Sequence, residues 1–277
     1  MVVATTALIR DQVSVWRRAG QSVGLVPTMG ALHAGHLSLV DASRAENSRT
    51  VVSIFVNPLQ FGPQEDFERY PRDLEGDLAA LAGHGVDAAF APRREEVYPP
   101  GDATRVRVEG IGEILEGAFR PGHFEGVATV VSKLFWAVRP DRAYFGRKDA
   151  QQVAVIVRMA ADLGTGIEVR ACPIVREPDG LALSSRNRYL DAAHRTSALV
   201  LYRALRRAND AYLAGTRDPS ALREALAAEL VTESLVVPDY AEVVDPDDFT
   251  KPGRLAVLAV SVGDTRLIDN HLLGEPL

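Results

Sequence analysis

Cysteine is almost absent: Cys172 is the single thiol in 277 residues. No internal disulfide can form, so the chain suits a reducing compartment. Pro173 and apolar neighbours favour a buried structural role for that thiol over a nucleophilic one. An excess of positive charge is also missing. With 31 basic and 37 acidic side chains the formal net charge is −6, which offers no electrostatic footprint for nucleic acid. An anionic substrate therefore needs a local positive site. No apolar run approaches membrane-spanning length, and the opening MVVATTALIRDQVSVW lacks the basic head and apolar core of a signal peptide. Cytoplasmic residence away from membranes is the expectation. Neither internal repeats nor low-complexity segments occur, and there is no HExxH frame for a zinc site. The first βα turn lacks GxGxxG, which argues against a nicotinamide-dependent dehydrogenase.

What remains is an ordinary globular composition, 47% hydrophobic and 25% charged, long enough for one large domain or two modest ones. Leu8, Val13 and Trp16 recur at helical intervals before Gly20, predicting a helix over 5–19. Strand 22–27, helix 35–47 and strand 50–56 then form a βαβ unit. A helix over 72–84, a short strand at 86–90, a helix over 124–138, a strand ending at 144–146, a helix over 149–163 and a strand at 167–171 continue the alternation. Such alternation predicts an α/β fold with a doubly wound parallel sheet. Past Val175 the texture changes: helical stretches 191–214 and 218–232 precede β-rich segments 239–245, 254–260 and 265–270. Helices grouped before strands predict a smaller C-terminal α+β domain, giving domains 1–175 and 176–277.

The most informative stretch is PTMGALHAGH, residues 27–36, between the first long strand and its helix. Open α/β sheets bind ligands at such strand-to-helix turns, and the unpaired N–H groups and dipole of a helix start suit a phosphate. His33 and His36, one turn apart, project to the same side. Gly30 and Gly35 would let a flat ring or a phosphate approach the main chain. A second turn, Phe145-Gly146-Arg147-Lys148-Asp149, repeats this logic. Lys148 supplies a point charge for phosphates, Gly146 room for close approach, and Asp149 an acceptor for ribose hydroxyls.

PTMGALHAGH resembles the HxGH signature of the nucleotidyl-transferase-like superfamily, and in this longer form the pantothenate synthetase (pantoate-beta-alanine ligase) family. FVNPLQFGPQEDFERYPR at 55–72, RPGHFEGVATVVSKLF at 120–135, YFGRKDAQQ at 144–152 and LALSSRNRYL at 181–190 extend that likeness along most of the chain. The resemblance implies a Rossmann-like domain that binds ATP and pantoate, a C-terminal lid and a homodimer. It also implies ATP-dependent condensation of (R)-pantoate with β-alanine through a pantoyl-adenylate, releasing AMP and diphosphate.

Carried over residue by residue, the resemblance implies ATP contacts from Met29, Gly30, Ala31, Leu32, His33, Ala34, Gly35 and His36, with His36 as proton donor and His33 and Lys148 as catalytic partners. Nearby phosphate would favour a charged imidazole. Gly146, Arg147, Lys148 and Asp149 match the second turn, although the family pattern resembles Gly-Glu-Lys-Asp. Arg147 is thus a charge departure, expected to point away from the nucleotide. Leu183, Ser184, Ser185 and Arg186 resemble a second phosphate loop, where the family more often carries Met or Lys at the position of Leu183. Val175 matches a main-chain contact to adenine. Gln60 and Gln152 match the pantoate contacts, with Gln60 also facing β-alanine; Phe55, Phe61 and Pro27 are candidate walls or core, and Asn57 and Tyr70 further candidates. Asp77 is a candidate magnesium (Mg2+) ligand, the alternative being an exposed helical carboxylate. Other readings are an adenylyl or cytidylyl transferase acting on a phosphate ester, which has no use for the paired glutamines, and a noncatalytic nucleotide-binding module.

Overall fold

The computed structural model describes residues 1–63 and 65–277. The chain divides into two compact units, one formed by Met1–Gly146 with Val155–Cys172, the other by Arg147–Ala154 with Pro173–Leu277.

The first unit is built on six parallel strands: β1 (Val2–Val3), β2 (Val23–Thr28), β3 (Arg49–Ile54), β4 (Ala88–Phe90), β5 (Arg142–Gly146) and β6 (Glu168–Cys172), in the order β1-β4-β3-β2-β5-β6. The central strands carry apolar side chains on both faces, Val23, Leu25 and Val26 in β2 and Val51 and Val52 in β3, as expected of a parallel sheet covered on both sides. Strand order reverses on either side of β2, so the switch point lies at the carboxyl ends of β2 and β5, the position where such sheets take ligands. The doubly wound parallel sheet expected from the alternation is present. β1, only two residues long, carries too short a pattern to be read from sequence; it pairs Val2 with Ala89 and Val3 with Phe90.

Helix α1 (Thr6–Arg18) starts where the Thr5 hydroxyl accepts from the Leu8 N–H. Its buried stripe is Ile9, Val13 and Trp16, whereas Leu8, taken from the spacing as part of that stripe, is 58% exposed. Helix α2 (Ala34–Glu46) follows β2 and buries Leu39, Val40 and Ser43. Helix α3 (Leu74–Ala82) opens at Asp73, whose carboxylate accepts from the Gly76 N–H at 2.9 Å. Short helices α4 (Arg94–Val97) and α5 (Glu116–Phe119) lead to α6 (His123–Val138), nearly all of whose residues are buried. Helix α7 (Ala150–Asp162) precedes β6, and Cys172 at the end of that strand is buried among Val26, Val52 and Tyr144.

In the second unit, helices α8 (Ala192–Ser197), α9 (Val200–Leu213) and α10 (Pro219–Leu230) join an antiparallel sheet of β7 (Val236–Val244), β8 (Leu255–Val262) and β9 (Thr265–Leu272). A tight turn at 198–199 splits what the periodicity suggests is one long helix. Leu201, Leu205, Leu222, Leu226 and Leu230 pack on Leu258 and Val260 to form this unit's core. Among the described residues, no helix is long and apolar enough to cross a membrane.

Candidate active site

The turn between β2 and α2 is pinned from several directions. The Thr28 hydroxyl donates to the Ser53 carbonyl at 2.7 Å and accepts from the Gly30 N–H, tying the end of β2 to β3. Gly30 and Ala31 follow in left-handed conformations, φ 81° and 52°. A β-carbon on Gly30 would lie 2.6 Å from the Asp77 carboxylate, so this glycine is required by the fold itself and not only by ligand approach.

Asp77 is the main correction to the sequence reading. It is 5% exposed, and its two oxygens accept from the N–H groups of Ala31 at 3.0 Å and Leu32 at 2.8 Å. An exposed helical carboxylate does not describe it. A buried charge persists only when its oxygens are hydrogen-bonded, and here the bonds hold the HxGH turn. Among the described residues, no group of three or more His, Cys, Asp or Glu side chains is arranged to hold a metal ion.

His33 caps α2: its Nδ1 accepts from the Gly35 N–H at 3.1 Å. His36, three residues on, reciprocates, its Nδ1 accepting from the His33 N–H at 3.4 Å in a capping-box arrangement. The rings lie 4.1 Å apart, tilted by 36°. Because both Nδ1 atoms accept, each neutral ring carries its proton on Nε2 and presents an N–H donor there. Met29, Leu32 and Gly35 are half-buried along the same turn, and Ala34 is exposed.

Gln60 ends a single 3-10 turn, Pro58–Gln60, capped by Asn57. Asn57 is 1% exposed; its amide donates to Gln60 Oε1 at 3.0 Å and to the Gly126 carbonyl at 3.0 Å, and it accepts from the Tyr98 hydroxyl at 2.7 Å. Accepting at Oε1 leaves the Gln60 Nε2 end as the donor. Burial raises the Tyr98 phenol above its usual range and keeps it a donor. The Gln60 carbonyl accepts from His123 Nδ1 at 2.8 Å, while Arg120, paired with Glu65 at 2.6 Å, approaches His123 Nε2 at 3.2 Å. This anchoring set of His123, Arg120, Glu65, Tyr98 and Gly126 went unseen in the sequence. Its signal there was the RPGHFEG string, read only as part of the likeness. Phe55 and Tyr70 are buried, Phe55 against Tyr98 and Tyr70 against the edge of Phe61, which makes them packing residues first.

Burial, followed by the Arg120 charge, pushes His123 down to about 4. Its folded value is below its unfolded one, so the unfolded chain binds the extra proton between them. The stability due to the neutral ring is complete above the unfolded value of 6.5 and is lost as pH falls from there toward 4. Such a shift corresponds to roughly 3 kcal/mol. We expect the thermal midpoint to fall over that interval and the fall to be smaller in His123→Asn; identical pH profiles for the two proteins would exclude His123 as the group responsible.

The other candidate residues belong to the second unit, apart from Gly146, which ends β5 and next to which a β-carbon would meet open space. Neither packing nor backbone conformation demands glycine there, which fits the close approach expected of it. Arg147, Lys148 and Asp149 form a 3-10 turn. Arg147 is exposed and faces Glu275 at 3.8 Å; Lys148 Nζ lies 3.6 Å from the Asp149 carboxylate. Gln152, half-buried, sits in the first turn of α7. Val175 and Leu183 are neighbours, the Leu183 N–H donating to the Val175 carbonyl at 2.9 Å across a hairpin turn. Ser184 then caps the 3-10 segment Ser185–Tyr189 by accepting from the Arg186 N–H. The structure thus assembles four local groups: the HxGH turn with Asp77, Gln60 with its anchors, the Lys148 turn, and Val175 with the serine loop.

The family model for pantoate-beta-alanine ligase matches residues 1–272. The pantothenate synthetase of Moorella thermoacetica is 56% identical over 275 residues, covering 97% of each chain, and that of Acetivibrio thermocellus is 52% identical over 98% of this chain and 99% of its own. The crystal structure of pantothenate synthetase from Thermus thermophilus has a TM-score of 0.92 at 48% identity, covering 98% of this chain and 99% of that one. The pantoate-beta-alanine ligase of Francisella tularensis, solved in complex with beta-gamma ATP and beta-alanine, has a TM-score of 0.82 at 34% identity, covering 100% and 98%. With a match over nearly its whole length and relatives sharing half its residues, the chain belongs to the pantoate-beta-alanine ligase family.

Proposed function

We infer that this enzyme condenses pantoate with β-alanine with consumption of ATP, and that it does so through a pantoyl-adenylate. A carboxylate is a poor acyl donor at neutral pH. In the first step a pantoate carboxylate oxygen attacks the α-phosphorus of ATP, the bond to the bridging oxygen breaks, and diphosphate leaves. In the second the β-alanine amine attacks the acyl carbon, the amine gives up a proton, and AMP departs. Neither step needs a protein nucleophile; both need alignment and donors where negative charge accumulates.

The observation that carries this reading is the reciprocal cap of His33 and His36, which sets two Nε2–H donors side by side at the start of α2. In this assignment the Nε2–H of His36 donates a hydrogen bond to the charge shed by the leaving group, and His33 and Lys148 stabilise it. The turn from Met29 to His36, Gly146 to Asp149, Val175 and residues 183–186 hold ATP, with Ser184, Ser185 and Arg186 on phosphate oxygens. Gln60 and Gln152 hold pantoate through neutral amides, which orient a carboxylate without cancelling its charge. Asp77 holds the turn through Ala31 and Leu32. Mg2+ is assigned to the oxygens of ATP and to water, since this ion keeps several waters and commonly binds through substrate phosphates. A cytoplasmic homodimer is the setting we assign, supported by the near absence of cysteine and by the family likeness.

The test is product analysis. ATP with pantoate alone should yield enzyme-bound adenylate and diphosphate, and added β-alanine should release AMP with pantothenate. Transfer of the nucleotide to a phosphate ester, without AMP release, would favour the adenylyltransferase reading; tight ATP binding without turnover would favour a binding module.

A further inference from the structure

The turn that carries Lys148 is fastened by a residue far away in sequence. Asn270, in β9, is 5% exposed, and its side-chain amide donates to the carbonyls of Arg147 at 2.8 Å and Lys148 at 2.9 Å. One planar NH2 group thereby fixes two consecutive peptide groups. Because each trans peptide is planar, holding the carbonyl oxygens of Arg147 and Lys148 also sets the directions of the N–H groups of Lys148 and Asp149.

Asn270 is itself held. Its own N–H donates to Asp269 Oδ1 at 2.8 Å, and Asp269, 2% exposed, forms a two-pronged pair with Arg176 at 2.6 and 3.1 Å. Arg176 Nη2 also reaches the Asn270 carbonyl at 3.3 Å. Bidentate guanidinium–carboxylate pairs are geometrically strict, so the Asn270 backbone from which the amide reaches out is fixed. Arg147–Ala154 belongs to the same compact unit as the C-terminal sheet.

We propose that Asn270 is a positioning residue for ATP, setting the orientation of the Lys148 turn from the C-terminal sheet. In this role it acts through the Lys148 turn and not on the reacting atoms. The proposal rests on the reading that Lys148 meets the phosphates of ATP, and the experiment separates the two.

Pantoate-dependent exchange of labelled diphosphate into ATP reads the first step alone. Asn270→Ala should raise KM for ATP about tenfold, leave KM for β-alanine in the second step within about twofold, and lower kcat less than KM rises, the pattern of a misplaced binding group. Asn270→Ser, which retains a hydroxyl too short to span both carbonyls, should behave alike and serves if the alanine protein does not fold. The decisive comparison is a double-mutant cycle with Lys148→Ala. If Asn270 acts through the lysine turn, adding Asn270→Ala to Lys148→Ala should cost less than about twofold more, because the lysine's contribution is already gone. Full additivity, or a loss confined to the thermal midpoint with KM for ATP unchanged, overturns the proposal. An active Lys148→Ala enzyme with unaltered KM for ATP would instead remove the underlying assignment of Lys148.

Discussion

His36→Ala lowers the rate of pantoyl-adenylate formation by about 10²- to 10³-fold, the usual cost of removing one donor aimed at developing charge. Pantoate affinity should change little, because the pantoate contacts assigned here are elsewhere. Two losses are mixed in this variant. The ring provides an Nε2 proton, and its Nδ1 accepts from the His33 N–H at the start of α2. Loss of a cap typically costs about 1 kcal/mol of stability and loosens the helix start. His36→Gln separates the two, since glutamine is a natural partner at this position of a capping box and supplies the acceptor without an imidazole. Its thermal midpoint should recover toward that of the parent while the single-turnover rate stays low. Unchanged adenylate formation in the alanine variant would remove His36 from the mechanism, and full recovery of rate in the glutamine variant would reduce its role to that of a cap.

Gly126→Ala should be the second most damaging change. The added methyl would overlap the Leu59 carbonyl and stand 2.6 Å from the Gln60 nitrogen, where buried α6 meets the 3-10 turn backbone to backbone. Backbone cannot step aside as the end of a flexible side chain can. Overpacking of this kind costs about 1–3 kcal/mol. The displaced segment carries Gln60 together with the carbonyl that His123 holds and the amide that Asn57 holds. KM for pantoate should therefore rise about tenfold, on the order of the 1–2 kcal/mol of a lost, well-placed hydrogen bond, with KM for ATP unaltered. Gln60→Ala is the control, removing the same amide without moving the backbone, and should reproduce the pantoate effect while retaining the thermal midpoint. If Gly126→Ala melts earlier but binds pantoate normally, Gln60 is not held by this contact. A change in ATP affinity alone in Gln60→Ala would show that the pocket is wrongly assigned.

Local patterns were legible because local physics produces them. Alternating strands and helices announced the parallel sheet, and the switch from alternation to grouped helices and strands announced the smaller antiparallel one. HxGH at a strand-to-helix turn was readable because a helix start determines its own capping geometry within a few residues. Spacing was less dependable on a single helix: Leu8 and Ile9 are both apolar, and only tertiary packing selects Ile9 as the buried one.

The amino-acid order by itself determined the α/β class, the phosphate-suited turns and, through the extended likeness, the family. Tertiary structure decided what supports those turns. Asp77 binds Ala31 and Leu32 across 45 or more positions, His123 binds Gln60 across 63, and Asn270 binds Lys148 across 122. No periodicity links residues that far apart. A carboxylate on a helix looks the same in sequence whether it faces water, a metal or two backbone amides, and the choice is made only when folding removes the water and leaves each buried polar group to find its partner.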